Sequence, residues 1–244
     1  MSDLGTKGLS STAMVLAAGR GTRMRPITDH VPKPLVAVGG TTMLDFVIDR
    51  FAEVGVARVA VNVHHHPRQI EDRLAARARP ASVVSDERAG LLDSGGGAKK
   101  MLPHVADAPA FLLANADTLW IDEGARPAIE GFVAAWDPAR MDLLLLVAAL
   151  DRSLGFDGRG DFSIGSDGRL ERRGQRAGAP LAYAGVAIFA RSLFDDTPEG
   201  PFSLNALFDR AASRGRLHGH LLDGFWMHVG TPEALPIVER AIGA

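Results

Sequence analysis

The densest concentration of chemistry-bearing residues lies at 16–35, LAAGRGTRMRPITDHVPKPL. Leu16, Ala17, Ala18, Gly19, Gly21 and Thr22 make a turn of small residues whose backbone N–H groups can close on an anion. Three cations follow, Arg23, Arg25 and Lys33, and Pro32 and Pro34 fix the backbone on either side of Lys33. Gly19-x-Gly21 departs from the dinucleotide fingerprint, because Met24 occupies the third glycine position and Pro26 interrupts a helix. No Gly-Lys-Ser/Thr follows, so the segment is not a P-loop. The chemistry it suits is phosphate binding.

Three further segments carry polar residues at telling places. Asp93-Ser94-Gly95-Gly96-Gly97 leads into a helix, and three adjacent glycines start a helix poorly unless something must approach their backbone closely. Asn115 and Asp117 follow the apolar run at 110–114, which puts them at the C-terminal end of a buried strand, where open α/β sheets bind ligands. Asn62 and the run His64, His65, His66 end another strand on the same side. Consecutive residues of an extended segment point to opposite faces, so the three imidazoles cannot converge on one metal, although one can reach a ligand.

Residues 16–35 resemble the opening signature of the sugar-1-phosphate nucleotidyltransferase family, LAAGxGTRM/LxPxT followed by PKPL, nearly throughout. The likeness continues, with decreasing density, to about Pro236. It implies a Rossmann-like α/β domain whose loop wraps a nucleoside triphosphate, with Leu16, Ala17, Ala18, Gly19, Gly21, Thr22, Arg23 and Lys33 binding the nucleotide. Arg23, Lys33 and Asp117 are then the catalytic residues, and Gly95 and Gly96 lie against the nucleobase. Asn62, Asn115, Gly160, Asp161 and Gly185 match the sugar pocket. Asp117 matches a magnesium ligand, with manganese or cobalt as alternatives. Residues 226–232, WMHVGTP, resemble the family's WxDVGTP box, but His228 stands where a second metal-binding Asp is usual. A softer-ion ligand, a phosphate contact when protonated and a packed side chain are the three readings of that imidazole.

The implied reaction joins a sugar 1-phosphate to a nucleoside triphosphate, giving a nucleotide sugar and pyrophosphate. The small size is similar to the members that use UTP and N-acetylmuramate 1-phosphate in peptidoglycan recycling. Guanylyl transfer to mannose 1-phosphate, nucleotidyl transfer to glucose 1-phosphate and cytidylyl transfer to phosphocholine are alternatives. From another class, so is a catalytically silent nucleotide-sugar-binding regulator.

The elements that must position these residues alternate between strand and helix. Residues 13–17 read as a buried parallel strand running into the glycine loop, and 42–54 as a helix with Thr41 or Thr42 as N-cap and Gly55 just past its end. Strands are expected at 58–63, 110–114, 142–148, 183–190 and 217–222, and helices at 67–78, 127–136 and 203–214. Thr231 caps a C-terminal helix with Pro232 in its first position, although Pro236 falls one turn later. The pattern predicts an α/β fold, a mostly parallel mixed sheet flanked by helices. Seven glycines and short alternating pieces, such as 162–164 and 169–171, mark a β-rich insertion at about 151–182 by the sugar pocket. Residues 1–12 read as a flexible leader and 13–244 as one nucleotidyltransferase domain.

Composition narrows the class. A length of 244 residues suits one large α/β domain or a core with a small appendage, and 46% hydrophobic with 23% charged residues excludes disorder and a fibrous architecture. Twenty-seven basic against 29 acidic side chains give a net charge of −2 and no footprint for nucleic acid, so phosphate chemistry must be local. The longest apolar run, 143–150, is too short to cross a bilayer, and residues 1–12 lack the charged and apolar regions of a secretory signal. With no cysteine there is no disulfide, thiol nucleophile or Cys-ligated zinc. The expectation is a cytoplasmic monomer or small homo-oligomer that binds neither membrane nor nucleic acid.

Overall fold

The structure is a computed structural model and describes residues 4–243. In chain order the strands are β1 (Thr12–Leu16), β2 (Ala37–Val38), β3 (Thr41–Thr42), β4 (Arg58–Val63), β5 (Ala81–Asp86), β6 (Ala110–Asn115) and β7 (Thr118–Asp122). They continue with β8 (Leu143–Ala149), β9 (Ser153–Leu154), β10 (Phe162–Ile164), β11 (Leu170–Arg172), β12 (Leu181–Ala190), β13 (Leu217–Leu221) and β14 (Gly224–His228). The helices are α1 (Met43–Glu53), α2 (Pro67–Ala75), α3 (Asp93–Met101), α4 (Ala128–Ala135), α5 (Asn205–Ser213) and α6 (Leu235–Ala241).

Seven strands form the body of the sheet in the order β5-β4-β1-β6-β12-β8-β13. Within that body only β12 runs antiparallel, to β6 on one side and β8 on the other. Continuous apolar runs suit strands covered on both faces, and alternate residues feed two cores. Val59, Val61 and Val63 of β4 join Phe51, Phe132 and Trp136 on one face, while Ala60, Leu143, Leu145 and Val147 join Phe162, Phe194 and Phe208 on the other. β10 and β11 make a hairpin that extends the sheet through the Phe162–Leu181 pairing. A separate sheet, β7-β14-β9, covers a third apolar cluster that includes Met24, Met43, Leu119 and Met227.

The helix at 42–54 has Thr42 as N-cap, its side chain accepting from the Asp45 N–H at 3.1 Å, and Gly55 follows with φ +92°. Several expectations need correction. Residues 4–11, read as part of a flexible leader, are packed: Leu4 and Leu9 are buried, Leu9 bridges to Ala110, and Lys7 Nζ donates to the carbonyls of Ala134 and Trp136. The rest of that leader, residues 1–3, lies outside the described residues. Thr231 does not cap a helix with its side chain; a single 3-10 turn at Pro232–Ala234 intervenes, and α6 starts at Leu235 with Pro236 in its first turn. Strands β5, β7 and β14 were not anticipated. The insertion at 151–182 holds β9, β10 and β11, but β9 joins the small sheet rather than the hairpin.

Candidate functional site

Three parallel strands deliver their C-terminal ends side by side, since Leu16 is in register with Asn62 of β4 and with Asn115 of β6. Beyond these ends opens a cleft of about 380 Å³. Leu16, Ala17, Ala18, Gly19, Gly21, Thr22, Arg23 and Lys33 all line it, together with Asn62, Asn115 and Asp117. Gly21 has φ +61°, and a Cβ there would stand 2.9 Å from Thr28 Cγ2 and 3.0 Å from Lys33 Cβ, so only glycine lets the loop turn this tightly. Thr28 Oγ1 donates to the Gly21 carbonyl at 2.9 Å and fixes the turn from beneath.

Lys33 sits in a 3-10 turn that begins after Pro32 and includes Pro34. Its side chain is 11% exposed and its Nζ lies 2.5 Å from Asp117 Oδ2, whereas the Asp117 side chain is 32% exposed and opens to the cleft. Asp117 occupies the two-residue turn between β6 and β7, where the strand end aims it outward. Arg23 is exposed at the rim.

His228 ends β14 opposite Thr118. Its ring packs on Phe156 and Trp226, with centroids 5.7 and 5.4 Å away. Burial foremost, then the Lys33 charge, holds the imidazole below its ordinary pKa, so it is neutral at pH 7. A Cβ at Gly230 would stand 2.5 Å from His228 Nε2 and 3.6 Å from an Arg23 guanidinium nitrogen, which puts His228 beside the phosphate-side cations.

The expected nucleobase glycines are placed differently. Gly95 and Gly96 are buried in α3, where a Cβ at Gly95 would stand 2.4 Å from the Phe202 ring and one at Gly96 2.3 Å from the Gly200 carbonyl oxygen. Close approach is indeed required, but by the chain's own 200–202 segment. From this stretch Leu91, Asp93 and Ser94 face the cleft instead. Asn62, expected at the sugar, is 3% exposed and both ends of its amide are engaged internally: Oδ1 accepts from the Ala17 N–H and Nδ2 donates to Glu87, each at 2.7 Å.

A second recess of about 260 Å³ shares Ser94 and Asn115 with the first, and Asp161, Arg172 and Tyr183 line it. Asp161 accepts from the Tyr183 N–H at 3.0 Å. Burial holds the Tyr183 hydroxyl well above the usual phenol range, and that hydroxyl has no protein partner. Gly160 and Gly185 line neither recess: a Cβ at Gly160 would stand 2.1 Å from the Ala179 carbonyl oxygen, and one at Gly185, where φ is +82°, would stand 2.9 Å from Thr118 Cβ and 3.5 Å from Asn115 Nδ2. The histidines brace the loops, His64 Nδ1 contacting the Glu87 carbonyl and His65 Nε2 the Thr28 carbonyl, both at 2.8 Å.

Asp93, Ser94 and Gly230 lie in segments that the sequence singles out without being assigned to the site, and Glu87 is likewise unassigned. Gly230 could have been found as the glycine after His228, but Glu87 sits in the polar run SDER, where nothing separates a buried acid from a solvated one. Among the described residues no group of three or more His, Cys, Asp or Glu could hold a metal by itself.

The MobA-like NTP transferase domain model matches residues 13–198. N-acetylmuramate alpha-1-phosphate uridylyltransferase of Caulobacter vibrioides is 44% identical, over 94% of this chain and 96% of its own. The protein of the same name from Neisseria meningitidis serogroup B is 34% identical, over 95% of this chain and 98% of its own. Among solved structures, the inositol-1-phosphate CTP transferase of T. maritima superposes with a TM-score of 0.76 at 17% identity, covering 93% of this chain and 92% of that one.

Proposed function

The chain belongs to the sugar-1-phosphate nucleotidyltransferases, and from that premise we propose that it transfers a uridylyl group from UTP to N-acetylmuramate 1-phosphate. The observation that carries the reading is the cleft at the ends of β1, β4 and β6, where a glycine turn, Lys33 and Asp117 converge. The two relatives named for that activity align along nearly their whole length.

A sugar phosphate is largely ionised near neutral pH, so its oxygen attacks the α-phosphorus without a general base. One O–P bond forms, the bond from the α-phosphorus to the α,β-bridging oxygen breaks, and pyrophosphate leaves with the electron pair. Catalysis then reduces to alignment and neutralisation of charge. The turn at 17–22 offers backbone N–H groups to the phosphates, Arg23 meets the departing pyrophosphate at the rim, and Lys33 meets the α-phosphate and the attacking group. The second recess receives the sugar.

Members of this family generally use a divalent metal. The residues present fit one magnesium ion held by Asp117, whose carboxylate opens to the cleft, with triphosphate oxygens supplying other ligands. When bound, the ion neutralises charge on the triphosphate. Were His228 to join Asp117 as a ligand, its neutral imidazole would suit manganese or cobalt better than magnesium.

Pyrophosphate release measured across the four triphosphates and across N-acetylmuramate, mannose and glucose 1-phosphates tests the reading. UTP with N-acetylmuramate 1-phosphate should exceed every other pair. A preference for GTP with mannose 1-phosphate would replace the substrates, and silence with every pair would remove the activity.

A further inference from the structure

A buried polar chain runs between the phosphate loop and the 91–94 segment that lines the other side of the cleft. The Ala17 N–H donates to Asn62 Oδ1 at 2.7 Å, Asn62 Nδ2 donates to Glu87 Oε1 at 2.7 Å, and the Leu92 N–H donates to Glu87 Oε2 at 3.1 Å. Asn62 is 3% exposed and Glu87 is 1% exposed. The two residues span β4, the end of β5 and the start of α3, so the chain ties Ala17, which lines the cleft, to the neighbour of Leu91 and Asp93, which line its other side. A third residue is shaped to it: a Cβ at Gly97 would stand 2.6 Å from Asn62 Nδ2 and 2.8 Å from Glu87 Oε1.

The chemistry of the pair is fixed by its ends. Both outer partners are backbone N–H donors, so the bridge must present an acceptor at each end, and its central bond needs one donor and one acceptor. The requirement is three acceptors and one donor, which one carboxylate plus one amide supplies. Two amides leave one pair of donors facing each other however they flip, and two carboxylates leave two acceptors facing each other. The order of amide and carboxylate along the chain is free.

We propose that Asn62 and Glu87 act together as a positioning pair that holds the phosphate loop against the 91–94 segment across the cleft, and that its function depends on this donor and acceptor count rather than on either residue's identity. The proposal rests on the reading of the cleft as the triphosphate site. It commits the pair to the nucleotide, because the sugar recess shares neither residue with it.

Reciprocal exchange is the test. Asn62→Asp and Glu87→Gln each break the count, whereas the double variant restores it with the central bond reversed: residue 62 accepts from Ala17 and from the residue 87 amide, which accepts from Leu92. With the triphosphate that serves the wild type best, each single variant should raise KM about tenfold, the scale of one unmade buried hydrogen bond, while KM for the sugar phosphate stays within about twofold. The double variant should return triphosphate KM to within about threefold of wild type. Melting temperature is followed in parallel, and titration calorimetry gives triphosphate affinity without turnover. A double variant no better than the worse single variant, or a KM rise shared equally by both substrates, overturns the pair's role. A wild type that binds triphosphate but releases no pyrophosphate overturns the functional reading and leaves the exchange readable by calorimetry. One that binds no triphosphate overturns both.

Discussion

Lys33 and Asp117 are charge partners before any ligand arrives, and their unequal exposure divides the labour between them. Lys33 is held by its prolines and is nearly buried, whereas the Asp117 carboxylate opens outward. Replacing Lys33 or Arg23 with Ala should lower kcat/KM about 10²-fold, the usual cost of one preorganised charge contact. Arg23 is exposed, so its variant should melt at the wild-type temperature; loss of Lys33 strands Asp117 and should lower the melting temperature slightly. Wild-type turnover in either variant would remove that residue from the site. For His228, burial and then the Lys33 charge depress the imidazole pKa, so its protonation is centred on the acid side of the usual 6.5. The wild-type and His228→Asn pH profiles should therefore run parallel from pH 8 to 6.5 and diverge below. His228→Asp should shift metal preference toward magnesium, which a comparison of kcat/KM with magnesium and manganese reads directly.

At the scale of elements, α3 shows a close approach made by the chain itself. Three adjacent glycines announced a close approach, and the approaching group is the 200–202 segment. Gly96→Ala should thus destabilise the protein by about 1–3 kcal/mol, as overpacking against fixed backbone does, with triphosphate affinity following the lost order. A urea titration and titration calorimetry on the same sample check both. An unchanged unfolding midpoint would show that the Gly200 contact yields. The buried strands were legible because runs such as RVAVNV are apolar on both faces. β5 was not, since ASVVSD is a partly exposed edge strand with polar ends. β7 follows β6 after only Ala116 and Asp117, so it merged with the motif before it, and β14 runs into the WMHVGTP box, which claimed its last three residues. The phosphate loop was legible because its residues are local in the chain. The Asn62–Glu87 bridge was not, because it depends on β4 and β5 lying side by side.

Across the whole molecule, histidines far from the cleft should add to the acid sensitivity that buried His228 brings. His218 and His220 lie on β13, and burial lowers the pKa of both below 6.5. The unfolded chain takes up protons at these imidazoles near pH 6.5, the folded chain only at lower pH, so stability is complete above 6.5 and falls as pH drops through and below it. Urea midpoints at pH 7.5 and 5.5 should differ, and less so in a His218→Gln, His220→Gln double variant. An equal difference in both proteins would assign the acid limb elsewhere. The reversed direction of β12 also bears on how the chain is made. β12 closes the gap between β6 and β8, both of which leave the ribosome before it. Each of those earlier strands carries a bare, apolar edge until the tenth residue of β12 has emerged. The nascent chain is therefore most in need of a chaperone's hold between the emergence of β8 and that of β12, and is relieved of part of that need by the one strand that runs against the rest of the seven-strand body, the remainder ending when β13 covers the other edge of β8.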